Sequence, residues 1–423
     1  MKAEVIAIGS ELTDGAKLDT NTQWLSQQLT DLGVTVHFHT TVADDLQENV
    51  DVLRTAVDRA DIILVTGGLG PTLDDLTRQA MAELMDVDLE LHAPSLNTIR
   101  KMFESRNREM PQRNEVQAMF PHGSEPLTNP VGTAPGIWME VPRVGARPPA
   151  CIAAMPGVPS EMHRMFEKQV KPRLPVSAKV IRRARLNCFG LGESHTEQIL
   201  GDLTARGNDP EVGITASEAT ITLRITARGD NEQQCEDKIR TASETARRLL
   251  GHYIFGTEDE DLQHVAINLL TASGQTLATV ESGTGGLLSH RLTEVPDFEK
   301  CYTGGLILPT ESSQQRELEI SATLFQEHDS ISEAIAAELA RRCRERLSTS
   351  FAIAITSDRG RAALTDPSMP AAYVAVASAD DVRTLPVHRI GNWTMHRSRT
   401  VKTALNLLRL ELLGVSLDDV RKG

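Results

Sequence analysis

Residues 61–75 read DIILVTGGLGPTLDD, an apolar run followed by a glycine-rich turn and two acidic residues. The run DIILV (61–65) has the length and composition of a buried strand. Glycine permits positive φ and a close approach of the backbone, so several N–H groups of one turn can converge on a phosphate. The stretch therefore predicts a buried strand, an anion-binding turn and a helix that begins at Asp74 and Asp75. A tight turn with Asp74 as N-cap would explain much of the same pattern.

The segments around this strand alternate between strand and helix patterns. EVIAI (4–8) and VTVHFHTTV (34–42) have strand character, whereas residues 20–33 and 44–60 carry apolar residues at helical spacing. A further strand is expected at 149–155. Strand–helix–strand–helix–strand order indicates a parallel sheet with right-handed crossovers.

Composition restricts the partners of the chain. Its 423 residues carry a formal net charge of −14, and the five cysteines show no metal-ligand spacing. Nucleic acids and anionic membranes are held by clustered Lys and Arg, so the charge argues against both as broad partners. No apolar run is long enough for a membrane span and the N-terminus lacks a signal-peptide pattern, so we expect a cytoplasmic protein. Small anions stay open as ligands, because backbone N–H groups bind them without net positive charge.

The character of the sequence changes twice. KPRLPVSA (171–178) has the composition of a linker, and a small α+β pattern follows it. A second junction lies at 251–261, after which α/β alternation resumes to the end of the chain. We therefore predict three domains, at 1–170, 171–257 and 258–423.

Several motifs occur in a fixed order along the first domain. They are IAIGSELTDG (6–15), NTQWLSQQL (21–29), TGGLGPTLDDLT (66–77), NPVGTAPG (129–136) and MPGVPSEM (155–162). Together they resemble the CinA (competence/damage-inducible protein) family. NCFGLGESHTEQIL (187–200) is similar to the family's KH-like domain, and residues 276–296 are similar to its nicotinamide-nucleotide amidase domain. The resemblance implies an α/β chain with an N-terminal molybdopterin-binding-like three-layer domain, a small α+β KH-like domain and a C-terminal α/β CinA amidase-like domain.

The resemblance also implies metal-dependent hydrolysis of ADP-ribose, or of a related nucleotide diphosphate, by the first domain. Such a site needs N–H donors for the diphosphate and carboxylates for a divalent cation, Mg²⁺, Mn²⁺ or Co²⁺. The candidates are Gly67, Gly68, Gly70 and Asn21 for substrate binding, Asp74 and Asp75 for catalysis, and Asp44, Asp45 and Asp74 for the metal, with Glu11 as a weaker polar candidate. Each acid on its own fits an N-cap or a solvated position equally well.

Two other functions fit parts of the same pattern. Proteins that share the N-terminal fold bind a pterin without hydrolysing it, but their motif reads TGGTG. Leu69 and Pro71 follow the CinA pattern instead. A regulatory protein that binds nucleotides without turnover is the other alternative, and it depends on the state of the C-terminal site.

The C-terminal domain carries a second glycine turn, ESGTGG (281–286). In the family it resembles, the serine at the position of Ser282 attacks the carboxamide of nicotinamide mononucleotide, assisted by Tyr and Lys of a GGxxxYSNxxK motif. This chain reads GGLILPTESSQ at 304–314, so Pro309 replaces the Tyr and Gln314 replaces the Lys. A serine hydroxyl without a neighbouring base is a poor nucleophile.

A second family loop, TGxAGPGG, is altered as well. It reads TSDRGRAALTD (356–366) here, with most glycines gone and with Arg359 and Arg361 introduced. We therefore expect the C-terminal domain to keep its fold and to have lost all or nearly all amidase activity.

The other expectations for this turn concern binding. Ser282 is its degenerate catalytic residue, and Thr284, Gly285 and Gly286 are expected to hold a phosphate or ribose. Residual deamidation through Ser282 is the alternative. His290 is a poor substitute base, because a helix places it more than two turns away.

The middle domain contains the most basic stretch of the chain, KVIRRARLN (179–187). KH domains grip RNA through a GxxG loop, and FGLGES (189–194) is not such a loop. We therefore expect no nucleic-acid partner and a packing or dimer-forming role. The expected partners are a small nucleotide ligand and a second copy of the chain.

Overall fold

The computed structural model describes residues 1–174, 180–357 and 369–416, which form two compact units. The first unit contains the described residues up to 181 together with 229–232, and the second contains the described remainder. The strands of the described chain, over both units, are β1 Lys2–Ile8, β2 Thr35–Val42, β3 Ile62–Thr66, β4 Leu89–Leu91, β5 Met119–Pro121, β6 Glu125–Leu127, β7 Gly136–Val141, β8 Ala150–Met155, β9 Val180–Phe189, β10 Glu211–Ser217, β11 Thr220–Gly229, β12 Ile254–Thr257, β13 Leu277–Ser282, β14 Tyr302–Ile307, β15 Phe351–Ser357, β16 Ala372–Ala377 and β17 Val382–Val387.

Helices connect most of these strands. They are α1 Ser10–Thr13, α2 Thr20–Asp31, α3 Leu46–Arg59, α4 Thr77–Met85, α5 Ala93–Glu104, α6 Pro159–Met165, α7 Glu193–Leu200, α8 Glu232–Leu250, α9 Leu262–Ser273, α10 Leu287–Thr293, α11 Glu311–Leu318, α12 Ala322–Glu327, α13 Glu333–Leu347 and α14 Trp393–Leu412. Short 3₁₀ or π turns lie at Gln112–Ala118, Phe166–Val170, Lys171–Arg173, Gly201–Thr204, Gly251–Tyr253 and Phe298–Lys300. No helix within the described ranges is both long enough and apolar enough to cross a membrane.

The first unit is built on a mixed sheet with the strand order β2-β1-β3-β8-β7-β6. The neighbours β2, β1, β3 and β8 run parallel, as the strand–helix alternation predicts, whereas β7 and β6 add an antiparallel edge. All five residues of β3 are buried, which explains its unbroken apolar sequence. Thr66, the last residue of β3, pairs with Ala7 on one side and Met155 on the other. The loops after β1, β3 and β8 therefore leave the same edge of the sheet.

Helices cover both faces of this sheet and make three layers. On one face α2 and α6 pack through Leu25, Leu29 and Met162. On the other face α3 and α4 pack through residues that include Leu53 and Met81. The chain thus turns to opposite faces after β1 and after β3. Ligands of open α/β sheets bind at such a crevice, beyond the carboxyl ends of the strands.

The second unit contains two sheets. The smaller has the order β10-β11-β9-β12 and packs against α7 and α8 through an apolar core that includes Leu200, Leu223 and Ala246. The larger has the order β14-β13-β15-β16-β17, in which β13 runs parallel to both of its neighbours. Helices α9, α10 and α14 cover one face of the larger sheet, and α11 and α13 cover the other. The chain again turns to opposite faces after β13 and after β14.

Candidate functional site

The first glycine turn lies at the crevice between β1 and β3. Gly67 has φ 106°, and a Cβ at this position would overlap the carbonyl oxygen of Ile8 at the end of β1. Only glycine allows the turn to approach β1 this closely. The Gly67 amide donates to the carbonyl of Met155 at 3.1 Å, so the turn is also fixed to the end of β8.

Asp75 shapes the turn from the inside. Its Oδ1 accepts a hydrogen bond from the Gly70 amide at 2.7 Å, and its Oδ2 accepts one from the Thr72 amide at 2.8 Å. Helix α4 begins at Thr77, so the prediction that Asp74 and Asp75 begin it is wrong. The physical reason is that the Asp75 carboxylate binds amides that precede it in the chain, whereas an N-cap binds amides that follow it.

Other polar groups of the turn have no partner within the described protein. Among the described residues, the amides of Gly68 and Leu69 have no hydrogen-bond acceptor. The Asp74 side chain is exposed and has no hydrogen-bond or ion-pair partner in the described chain. Of the predicted cradle, the Gly68 amide is therefore available to an anion, whereas those of Gly67 and Gly70 are used within the protein.

Arg78 lies beneath the turn and is fully buried. Its guanidinium donates to the carbonyl of Gly70 at 3.2 Å and also to the carbonyl of Leu69. Burial lowers the pKa of Arg78 to about 10, so the group stays protonated at neutral pH. A buried cation in surroundings of low dielectric raises the electrostatic potential at the turn and favours an anion there.

Asn21 joins the two strand ends beside the turn. Its Nδ2 donates to Thr66 Oγ1 at 3.0 Å and to the Gly157 carbonyl at 2.8 Å. Its Oδ1 is buried and has no hydrogen-bond partner among the described residues. The structure therefore brings Asn21 to the predicted crevice, where its amide group holds the ends of β3 and β8 together.

The predicted metal ligands have different surroundings. Asp44 Oδ2 accepts from the Ser10 amide at 2.8 Å, and Asp45 Oδ1 accepts from the Glu48 amide as the N-cap of α3. Glu11 forms an ion pair with Lys17. Within the described ranges, no three His, Cys, Asp or Glu side chains come together as a metal cage. Mg²⁺ needs only one or two carboxylates when substrate phosphates and water complete its shell. Of the predicted ligands, Asp74 is the one whose carboxylate has no hydrogen-bond or ion-pair partner in the described chain.

The second glycine turn is anchored by Glu281, whose side chain is fully buried. Its Oε2 accepts from Thr284 Oγ1 at 2.7 Å and from the Leu288 amide at 3.1 Å. Its Oε1 accepts from the amide and the hydroxyl of Ser289, each at 2.9 Å. The Thr284 hydroxyl is therefore used inside the protein. Among the described residues the amides of Thr284, Gly285 and Gly286 have no acceptor and are available to a ligand.

Gln314 lies beside Ser282, as the sequence alignment with the family motif predicts. Its Nε2 donates to Ser282 Oγ at 3.2 Å and to the Leu308 carbonyl at 3.1 Å. Gln314 is only 2% exposed, and its Oε1 has no partner among the described residues. An amide nitrogen does not accept a proton near neutral pH, so the neighbour of Ser282 is a hydrogen-bond donor and not a base.

Other candidate bases are directed elsewhere. His290 Nε2 lies 3.4 Å from Glu294, and both side chains are largely exposed. The Tyr302 hydroxyl bonds Thr279 Oγ1 at 2.7 Å, and burial raises the pKa of Tyr302, so it holds its proton. Arg359 and Arg361 lie outside the described residues.

Sequence patterns miss the roles of Glu281 and Arg78. Glu281 is the last residue but one of β13, just before the glycines, and a charged residue inside a buried strand is the signal that identifies it. Arg78 follows the quoted turn by three residues, and nothing in the local pattern distinguishes it from a solvated helix residue. Its burial beneath the carbonyls of Leu69 and Gly70 follows from tertiary packing, which the local pattern does not contain.

Comparison with known proteins gives matches along the whole chain. Residues 4–176 match a family model described as a probable molybdopterin binding domain, 183–256 match the damage-inducible protein CinA KH domain, and 259–412 match the CinA C-terminal domain. A CinA-like protein of Dictyoglomus turgidum is 34% identical over 417 residues, which cover 98% of this chain and 100% of the relative. A CinA-like protein of Frankia casuarinae is 35% identical over 427 residues, which cover 98% and 97%. A crystal structure of CinA from Thermoplasma acidophilum is 32% identical, covers 41% of this chain and 98% of its own, and has a TM-score of 0.37.

Proposed function

The chain belongs to the CinA family, with a molybdopterin-binding-like domain, a KH domain and a CinA C-terminal domain, and from this we propose that its first domain is a hydrolase of ADP-ribose or a related nucleotide diphosphate. Water attacks one phosphorus atom, the bond to the bridging oxygen breaks, and ADP-ribose yields AMP and ribose 5-phosphate. A bound divalent cation, Mg²⁺, Mn²⁺ or Co²⁺, would supply charge neutralisation and lower the pKa of the attacking water.

One observation carries this proposal: two free amides and a free carboxylate occur in one turn, and a buried cation lies beneath it. The Gly68 and Leu69 amides face no acceptor in the described protein, and Arg78 lies beneath them. These groups favour a diphosphate. Asp74, exposed and unbonded, is the carboxylate suited to act on the metal or on water. Asp75 fixes the turn and stays out of the chemistry.

For the C-terminal domain we propose nucleotide binding without turnover, or with residual deamidation only. The contact between Gln314 Nε2 and Ser282 Oγ supports this, because it puts a donor where the reaction needs a base. Loss of a general base typically lowers the rate by about 10²–10⁴-fold. The open amides of Gly285 and Gly286 still suit a phosphate.

One mass-spectrometry time course tests both proposals. The full-length protein with Mg²⁺, Mn²⁺ or Co²⁺ is given ADP-ribose and nicotinamide mononucleotide together. We expect AMP and ribose 5-phosphate without nicotinate mononucleotide. Nicotinate mononucleotide formed at a rate comparable to that of AMP would overturn the proposal for the second turn. Absence of AMP with every metal would overturn the hydrolase and favour a binding protein.

Asp74→Asn tests the carboxylate of the first turn. Asp74 has no partner to lose, so we expect an unchanged melting temperature and a fall in AMP release of about 100-fold or more. Asp58→Asn is the matched control, because Asp58 is an exposed acid near the C-terminus of α3 at the opposite edge of the sheet. Wild-type rates in Asp74→Asn would remove Asp74 from the chemistry.

A further inference from the structure

A polar cavity of about 420 Å³ lies in the second unit, where the KH domain meets the C-terminal domain. The KH domain contributes β9 and the hairpin between β10 and β11, and the C-terminal domain contributes the start of α9 with parts of α10 and α14. Among the described residues that line the cavity, none belongs to a glycine turn and none is apolar. An aromatic base or an acyl chain would find no apolar side chain there, so the cavity suits a ligand that is polar on every side.

Lys402 of α14 supplies an ammonium group to the wall of this cavity and is only 7% exposed. Its Nζ donates to the Glu218 carbonyl at 2.9 Å and to Thr220 Oγ1 at 2.8 Å, which are both neutral oxygens. It forms no ion pair with a carboxylate of the described chain, whereas a buried lysine is normally paired. An ammonium has three N–H groups, so one remains for an acceptor in the cavity.

Arg291 of α10 is a second cation in the same wall. Its guanidinium donates to Ser398 Oγ at 2.7 Å, and its ion pair with Glu218 is long, at 3.9 Å, to a carboxylate that is 68% exposed. Such a pair compensates little of the charge. Burial lowers the pKa of Lys402, and the nearby charge of Arg291 lowers it further. Two cations at this distance favour an anion with more than one negative charge, such as a phosphate monoester at roughly −1.5 to −2.

Four consecutive carboxylates, at 258–261, line the opposite part of the cavity and have partners of their own. Glu258 and Asp259 form ion pairs with Arg185. Glu260 Oε2 accepts from an amide and a hydroxyl of its own loop, each at 2.9 Å, and Asp261 caps α9. Each carboxylate keeps lone pairs beyond these bonds, and hydroxyl groups of a ligand can donate to them.

Gln263 adds a buried acceptor that lacks a donor. The residue lines the cavity and is only 6% exposed. Its Nε2 lies 3.3 Å from Asp261 Oδ2, and a carboxylate only accepts, so the atom that faces Asp261 is the amide nitrogen. The other atom, Oε1, is buried and has no partner within the part of the chain that the structure describes. A buried carbonyl oxygen without a donor is unfavourable, and a hydroxyl of a ligand would supply that donor.

We propose that this cavity binds a small sugar phosphate, with the phosphate at Lys402 and Arg291 and a sugar hydroxyl donating to Gln263 Oε1. The phosphate supplies the negative charge that the two cations lack. The other sugar hydroxyls find acceptors in the carboxylates at 258–261. Because the walls come from two domains of one unit, the bound ligand stabilises their contact. This site requires neither glycine turn to be active.

Calorimetry on the full-length protein tests the phosphate end of this site, with ribose 5-phosphate, glucose 6-phosphate and fructose 6-phosphate as probes. Lys402→Met removes the ammonium at nearly constant side-chain length. For the probe that binds the wild type most tightly, we expect the affinity to fall at least about 10-fold. Lys300→Met is the control and should change nothing, because Lys300 is exposed and does not line the cavity.

Two results of this titration would overturn the proposal. The first is a wild type that binds none of the three probes. The second is an unchanged affinity in Lys402→Met, which would place the ligand elsewhere. Ribose 5-phosphate held at the first glycine turn as a product of the proposed hydrolase would give this second result, so the two proposals are tested separately.

Gln263→Met tests the sugar end and leaves both cations in place. It removes the Oε1 acceptor, so we expect the affinity for the same probe to fall about 3- to 10-fold. Gln233→Met is a matched control, because Gln233 is exposed, lies outside the cavity and also bonds an aspartate, Asp237, at 3.4 Å. The two variants thus lose a similar Gln–Asp contact. Equal affinities in these variants would overturn the hydroxyl contact with Gln263, and with it the proposed orientation of the sugar.

Discussion

The two glycine turns of this chain share one architecture and differ in their chemistry. Each follows a central strand, at a point where the chain turns to opposite faces of a sheet. Each is held by one acid that accepts hydrogen bonds from the turn itself, Asp75 in the first and Glu281 in the second. In both turns the carboxylate of this acid is therefore engaged by hydrogen bonds within the protein.

The two turns differ in the side chains that do not take part in building the turn. The first keeps Asp74 as a free carboxylate and has Arg78 buried beneath it. The second keeps Ser282, but its neighbour Gln314 donates to the hydroxyl and does not accept from it. The second turn therefore combines unbonded backbone amides with a serine whose side-chain neighbour is a hydrogen-bond donor, and a serine hydroxyl without a neighbouring base is a poor nucleophile.

Substitution of one glycine by alanine in each turn should have the largest effect and should show the greatest difference between the two turns. Residue 67 has φ 106°, and in Gly67→Ala the new Cβ would overlap the Ile8 carbonyl oxygen. We therefore expect the free energy of unfolding to fall by more than about 3 kcal/mol and ADP-ribose hydrolysis to be lost. Gly285 has φ 67° and open space around it, so Gly285→Ala should cost only about 1 kcal/mol. Urea unfolding measures the free energy of unfolding of both variants. An equal decrease in the two variants would contradict the tight packing of the first turn.

Exchange of the two anchoring acids for amides should have the next largest effect. In Glu281→Gln a buried NH₂ group would replace an oxygen that accepts hydrogen bonds from the turn, so two donors would face each other. We expect the free energy of unfolding to fall by about 3 kcal/mol. Asp75 is less buried, so Asp75→Asn should cost about 1.5 kcal/mol. Chemical denaturation of the full-length protein measures both. A larger cost at Asp75 would reverse our ranking of the two anchors.

Local sequence predicts much of the frame of the first site. The segments expected at 4–8, 20–33, 34–42, 44–60 and 61–65 correspond to β1, α2, β2, α3 and β3, and their ends agree within a few residues. Apolar periodicity and caps determine these elements, and both are local. Local sequence does not predict the antiparallel strands β6 and β7, because the pairing of β7 with β8 depends on residues distant in sequence.

The sites were less predictable for the same reason. The local pattern identifies the turn at 66–75 but does not assign its amides, since the Gly70 amide donates to Asp75 and the Gly67 amide donates to the Met155 carbonyl. The contact of Gln314 with Ser282 was expected only through the family motif, because the two residues lie on different elements. Arg78 required knowledge of how α4 packs.

The smallest expected effect is a gain of function at the second turn. In Gln314→Lys an amine replaces the amide that bonds Ser282 Oγ, and burial favours its neutral, proton-accepting form. Because Pro309 still replaces the family tyrosine, we expect deamidation of nicotinamide mononucleotide to rise only about 10-fold above the wild-type level. Gln314→Met, of similar length but without a base, is the control and should show no rise. Ser282→Ala in the Gln314→Lys protein should remove the gain. Equal rates in the lysine and methionine variants would mean that features beyond the missing base keep this site inactive, and the contrast between the two turns would then extend to the shape of the pocket.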